Sequence, residues 1–434
     1  MESQLIKNAV KVYFIAVAVL MYYFLNEVVN LGIFMTYRHM FALILFGSAF
    51  IYFLFNPNIA RGATTIKATF VYCTPLLVTI LVSLFIWFVE QVDTSVIARG
   101  LSGAFVYNNM ISFALAAVAF LYLFGEKGIW YNLIAILISN MLMIFTVIRQ
   151  NGIGIFFSEF VRLIITFAGD TGDVIVQAEI HELAFCIGAY LIYMILKPKR
   201  DITFIILFAL SSFCFLVAFK RIGIIAIVIA VALGWFLKFA AKLKKSIARN
   251  LIIFFTVMLV LVLIGYIAII KLDVFELLEQ AGIETSGRVQ IYNAVDKFYE
   301  FTPAFMGNGI GFLTYQLSSN MNVGVSSVHN DFLQYFIDLG FWGYILWLLS
   351  MTVLRVGYFG GKGNTENAII TFALTVYLVI VSSTDNTLNY PLLTTVLGIL
   401  MIGQGFDERV RQTEMKLFGY ISEANKNTGG TSLL

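Results

Sequence analysis

Three stretches of the chain, Ile202–Phe219, Ile222–Trp235 and Leu251–Ile270, contain no charged residue. Runs of about 20 apolar residues match the hydrocarbon thickness of a bilayer when helical. In lipid a spanning segment must satisfy its own backbone hydrogen bonds, so helix is the default. The alternating ten-residue pattern of an outer-membrane barrel is absent. The whole chain shares the bias: 60% of its 434 residues are hydrophobic and 12% charged, against about 25% charged in an ordinary soluble domain. The expected fold is therefore all-α and polytopic, as a single integral membrane domain over residues 1–434.

Hydropathy places helices at roughly 10–28, 39–55, 68–89, 104–124, 129–148, 179–196, 202–219, 222–240, 250–271, 329–354, 365–384 and 388–405. That is about twelve, with ten to fourteen as the range. Lys7 and Lys11 precede the first apolar run, but no small-residue cleavage site follows, so a retained first helix is expected. With the N-terminus cytoplasmic, the outward Lys and Arg are Arg38, Arg99, Arg149, Arg162, Lys220, Arg221, Lys271, Arg288 and Lys297, which leaves 19 of the 28 inside. The positive-inside rule thus agrees with twelve helices, both termini cytoplasmic and a polar cytoplasmic tail over 406–434. Cys73, Cys186 and Cys214 all lie in apolar runs and read as small buried residues.

Two outward segments are long. Residues 149–178 carry an apolar stretch broken by Glu159 and Arg162, expected as an interfacial or re-entrant helix. Residues 272–328 form the largest loop, and loops beyond about 15 residues are usually functional or disordered. Within it, Gly287–Phe301 has Ile291, Val295 and Phe298 at helical spacing with Tyr292 and Tyr299 beside them, while Gln290, Asn293, Asp296, Lys297 and Glu300 lie mostly opposite. This predicts an amphipathic helix, capped by Ser286.

Three outward features carry candidate chemistry. Lys220-Arg221 sits between two apolar helices with almost no loop, where charge is costly. The alternative, snorkelling to head groups, is at odds with an outward turn. Gly307-Asn308-Gly309-Ile310-Gly311 lets the backbone approach a ligand or make tight turns, but lacks the flanking strand and helix of a dinucleotide site. His329-Asn330-Asp331 lies where the long loop enters the next membrane helix. Imidazole suits removal of a proton from a hydroxyl, with a capping cluster as the plain alternative.

The order of Ser286-Gly287-Arg288 with its amphipathic helix, Pro303, the glycine run, His329-Asn330, and Gly340 with Gly343 resembles the O-antigen ligase and O-antigen polymerase superfamily. Lys220-Arg221 resembles that family's upstream basic position. The likeness spans roughly 202–354 in motifs. It implies a metal-independent glycosyltransferase of the GT-C class that uses no cofactor. The donor it implies is an oligosaccharide on undecaprenyl pyrophosphate, presented at the outer face of the bacterial cytoplasmic membrane. A polymerase moves the growing chain onto a hydroxyl of a new lipid-linked repeat unit, for O-antigen, capsule or exopolysaccharide; a ligase moves it to a final acceptor. By position Arg221 and Arg288 match arginines thought to hold pyrophosphate, and His329 the family's histidine. Lys220, Asn330, Arg38, Arg162 and Tyr292 are substrate-binding candidates. Membrane lipids, a flippase and a chain-length regulator are the expected partners, and nucleic acid is not. Arginine supplies fixed charge and bidentate bonds to phosphate, and no outward carboxylate cluster has metal-ligand spacing; Asp170 and Asp173 are a weak pair. A transporter would instead concentrate ionisable residues within helices and show half-to-half symmetry.

Overall fold

A computed structural model describes residues 2–24, 28–30, 34–90, 111–166, 181–218, 220–280, 288–319, 328–361, 364–385, 387 and 390–427. The membrane-type helices are α1 (Glu2–Tyr23), α2 (Tyr37–Phe55), α3 (Ile59–Val89), α4 (Ile111–Phe124) and α5 (Lys127–Asn151). After α6 (Ile153–Thr166) come α7 (His181–Leu196), α8 (Ile202–Ala218), α9 (Arg221–Leu243) and α10 (Lys245–Lys271). The long loop holds α11 (Val274–Gln280), α12 (Arg288–Val295) and α13 (Phe312–Ser319). The chain then runs through α14 (Asp331–Leu349), a π-turn (Ser350–Leu354), α15 (Arg355–Gly360), α16 (Thr365–Ser382), α17 (Pro391–Gly403) and α18 (Phe406–Asn427).

Among the described residues eight helices are long and apolar enough to cross a bilayer, one of them being α14 continued through α15, and four shorter apolar ones accompany them. They coincide with the twelve expected from hydropathy. The chain is an all-α polytopic membrane protein. Among the described residues its strands are confined to a three-residue antiparallel pair, Val28–Asn30 with Phe34–Thr36. The outer helix faces carry exposed side chains such as Phe85, Val228 and Phe254, as a lipid-facing surface requires. Inside, α9 packs along α16 and α1 along α5.

The most informative element is α14. Its residues from Asp331 to Gly340 are all buried, polar ones included. Gly340 interrupts the helix with φ 71°, a left-handed conformation that favours glycine. The glycine run of the long loop docks on this break. A Cβ on Gly307 would lie 2.3 Å from the Gly340 nitrogen. Asn308 N and Gly309 N donate to the Asp338 carbonyl at 3.1 and 2.7 Å, and Phe341 N donates to Phe305 O at 2.9 Å. The Asp338 carboxylate accepts from Gly311 N at 3.1 Å and Leu313 N at 3.2 Å, at the start of α13. Ser83 of α3 accepts from Ile310 N. The loop backbone thus replaces the hydrogen bonds that the helix break removes. Of the two uses expected for these glycines, the tight turn is the one seen: Gly307, Gly309 and Gly311 have φ of 88°, 84° and 80°, and the turns bring the loop backbone against α14.

Other segments differ in detail from the sequence reading. The loop helix is shorter than Gly287–Phe301, ending at Val295 and tightening into a 3₁₀ turn over Asp296–Phe298. Val289, Ile291, Tyr292 and Val295 are buried and Gln290 and Asn293 exposed, as its amphipathic pattern requires. The segment expected as a polar tail is helical through Asn427 and packs on α3, with Thr64 and Thr413 hydrogen-bonded at 2.9 Å. Arg355, one of the 19 Lys and Arg assigned to the cytoplasmic side, is buried; its guanidinium lies over the Tyr72 ring at 4.3 Å and donates to the Tyr72 carbonyl. Cys73, Cys186 and Cys214 are free and buried.

Candidate functional site

Asn330 ends the loop and caps α14, its side chain accepting from Leu333 N at 3.2 Å. Its amide nitrogen donates to Tyr292 of α12 at 3.0 Å and to Tyr266 of α10 at 3.1 Å. The capping reading of this cluster therefore holds for Asn330, which also ties three elements together. His329 precedes it with φ 51°. That left-handed step buries Val328 and Asn330 while turning the imidazole outward, so that its side chain is 47% exposed.

The turn after α16, Ser383-Thr384-Asp385, is the meeting point. Tyr266 donates its hydroxyl to the Ser383 carbonyl at 3.1 Å. Arg288 donates to the Thr384 carbonyl at 2.9 Å, and its Nε is buried without a hydrogen-bond partner. Asp385 Oδ1 lies 3.8 Å from His329 Nδ1, and this carboxylate is only 15% exposed. Tyr390 donates to the same oxygen at 2.9 Å. The Tyr390 ring stacks on Phe185 at 6.1 Å, and the Lys220 ammonium lies 5.8 Å from the Phe185 ring centre. Lys271 braces the loop from α10, bonded to Asp296 at 2.6 Å and to the Tyr299 carbonyl at 3.2 Å.

Of the residues singled out in the sequence, the fold joins His329, Asn330, Arg288 and Tyr292 directly and Lys220 through Phe185 and Tyr390. Arg221 follows Lys220 as the first residue of α9 and is exposed. Arg38 is half-buried at the start of α2, beside His39, whose ring packs on Phe113. The Phe113 carbonyl accepts from Thr395 in the first turns of α17, so Arg38 lies at the same end of the bundle on another flank. Arg162 is paired with Glu159 at 2.8 Å on α6. Arg99, Asp170, Asp173, Ser286 and Gly287 lie outside the described residues. Among the described residues no three His, Cys, Asp or Glu side chains gather as a metal site.

Asp385, Tyr390 and Tyr266 were missed by sequence reasoning. A signal existed for Asp385: it is the sole acidic residue between Glu366 and Asp407, in a polar run, Ser382–Thr387, between two apolar helices. Tyr266 offered none, because one tyrosine in an apolar helix looks like packing.

Residues 206–348 match the family model described as O-antigen ligase. This stretch is similar to the O-antigen ligase family. That family implies, in general, a glycosyl-transferring enzyme of O-antigen-related polysaccharide assembly. No curated protein sequence is significantly similar to the chain. The matched segment contains Lys220, Arg221, Tyr266, Arg288, Tyr292, His329 and Asn330. It ends before Asp385 and Tyr390, so the site is completed by the α16–α17 turn outside the matched segment.

Proposed function

We propose that the chain is a polysaccharide polymerase of the bacterial cytoplasmic membrane. It transfers a growing glycan from undecaprenyl pyrophosphate to a sugar hydroxyl of a new lipid-linked repeat unit at the outer face. Both termini are then cytoplasmic, residues 272–328 are the extracytoplasmic loop, and the whole chain is one integral membrane domain. The observation that carries this reading is the pairing of His329 with Asp385, with Arg288 anchored one residue away at Thr384.

In this reaction the acceptor oxygen attacks the anomeric carbon and the bond from that carbon to the pyrophosphate oxygen breaks. His329, with Nδ1–H toward Asp385, takes the hydroxyl proton on Nε2, a contribution of about 10²–10⁴ in rate. Asp385 holds the tautomer and offsets the imidazolium that forms. The leaving pyrophosphate is already a stable anion, so it needs neutralisation more than protonation. Arg288, Lys220 and Arg221 supply positive charge, and the N-terminus of the α14 half-helix adds its dipole. These cations carry the load without a metal in this mechanism.

A second reading within the same family is a ligase that moves the finished glycan to a lipid or wall acceptor. One experiment separates the two. The gene is deleted, the surface glycan is run on a gel, and lipid-linked precursors are extracted in parallel. Single repeat units without long chains establish the polymerase; full-length chains stranded on the carrier establish the ligase. Unchanged glycan and unchanged precursors reject both.

A further inference from the structure

The end of the bundle opposite His329 holds a cleft of about 930 Å³. The helix α16 links the two ends: its 18 residues rise about 27 Å, from Thr365 in the wall of this cleft to the turn that carries Asp385. Lys197, Lys238, Lys242 and Lys245 line the cleft with Arg411. The carboxylates present are largely engaged. Glu366 pairs with Lys238 at 3.5 Å, Glu408 with Arg411 at 2.6 Å and Asp407 with Arg61 at 3.6 Å. Among the described residues Lys197, Lys242 and Lys245 form no ion pair, and Glu126 remains as the acid facing them.

Two further features point to an anion. The N-terminus of α16 opens into the cleft, where the positive end of a helix favours negative charge. Thr365, its first residue, is 7% exposed, and its hydroxyl oxygen is buried with no hydrogen-bond partner. A buried hydroxyl left unbonded is costly, and it lies here beside a helix N-terminus and three ammonium groups that form no ion pair among the described residues.

We propose that this cleft binds a phosphate group, held by Lys197, Lys242 and Lys245 and by the Thr365 hydroxyl at the α16 N-terminus. The phosphate comes from one of two sources: the head group of an anionic phospholipid in the adjoining leaflet, or a soluble phosphate compound. The site is independent of the glycosyl-transfer reading, because it shares no residue with the His329 cluster.

The test uses the full-length protein purified in a neutral detergent, with its thermal unfolding followed against added dioctanoyl phosphatidylglycerol, dioctanoyl phosphatidylcholine or inorganic phosphate. Stabilisation by phosphatidylglycerol alone supports the site and assigns the lipid source. Stabilisation by inorganic phosphate as well supports the site and assigns a soluble source. Each lysine near an anionic head group is worth about fivefold in affinity, so K197Q/K242Q/K245Q together should raise the half-saturating concentration on the order of a hundredfold. The K197R/K242R/K245R protein should retain binding. Should the glutamine variant fail to fold, Thr365→Val serves in its place, with a several-fold loss expected. Equal stabilisation by phosphatidylcholine, no stabilisation by any probe, or wild-type binding in the glutamine or valine variant overturns the proposal.

Discussion

His329 and Asp385 face each other across 3.8 Å, one at the start of α14 and the other just beyond α16. In the proposed reaction the exposed member meets substrate; the shielded member is held by Tyr390. If the pair acts as base and orienter, His329→Ala should stop glycan growth at normal protein level. Asp385→Asn should lower turnover by about 10²-fold, and the double variant should be no worse than His329→Ala, because residues acting as a unit are not additive. Purified enzyme with a lipid-linked donor gives the rates. Wild-type polymer from cells carrying His329→Ala would sink the base assignment.

Arg288 uses one amino group on the Thr384 carbonyl and keeps Nε unbonded. Lysine cannot reproduce a planar fork that bonds a carbonyl and a phosphate together. Arg288→Lys should therefore cost at least about tenfold in kcat/KM, and Arg288→Ala should abolish transfer while membrane insertion persists. Arg221→Lys should also be strongly impaired if its geometry matters. Full activity there would mean that Arg221 contributes only a positive field.

The contact between Gly340 and Gly307 predicts a structural defect. A Cβ on Gly340 would fall 2.2 Å from the Met306 carbonyl carbon, at a φ of 71°. Gly340→Ala should destabilise by about 3 kcal/mol or more, combining a left-handed alanine with overpacking. Gly265→Ala is the control, since a Cβ there meets nothing within 4 Å. Thermal unfolding in detergent compares them, and equal midpoints would refute the docking role of the glycine run.

Asp338 accepts two backbone N–H groups at the start of α13. Leaving a buried donor without its acceptor costs about 1–3 kcal/mol. Asp338→Ala should loosen residues 306–313, read as faster amide exchange there than in the wild type. Exchange unchanged in that segment would show that the carboxylate does not hold it.

Cations alone neutralise the leaving group in the proposed reaction. Turnover should then survive EDTA. Loss of activity on chelation, restored by a divalent ion, would overturn the metal-free mechanism.

The sequence by itself determined the twelve apolar helices, since hydrophobic length is a local property that the bilayer reads directly. It also marked Arg288, Tyr292, His329 and Asn330, because polar residues at the mouths of apolar helices stand out against their surroundings. It could not reveal that Asp385 completes the site, as that contact joins segments brought together only when α14 and α16 both pack on α10. Nor could it decide the glycine run, which suits a ligand cradle and a packing joint equally well until Gly340 is seen to break its helix beneath it. Arg355 shows the same limit: its charge looks interfacial along the chain, and only the tertiary structure supplies the Tyr72 ring and carbonyl that let it be buried.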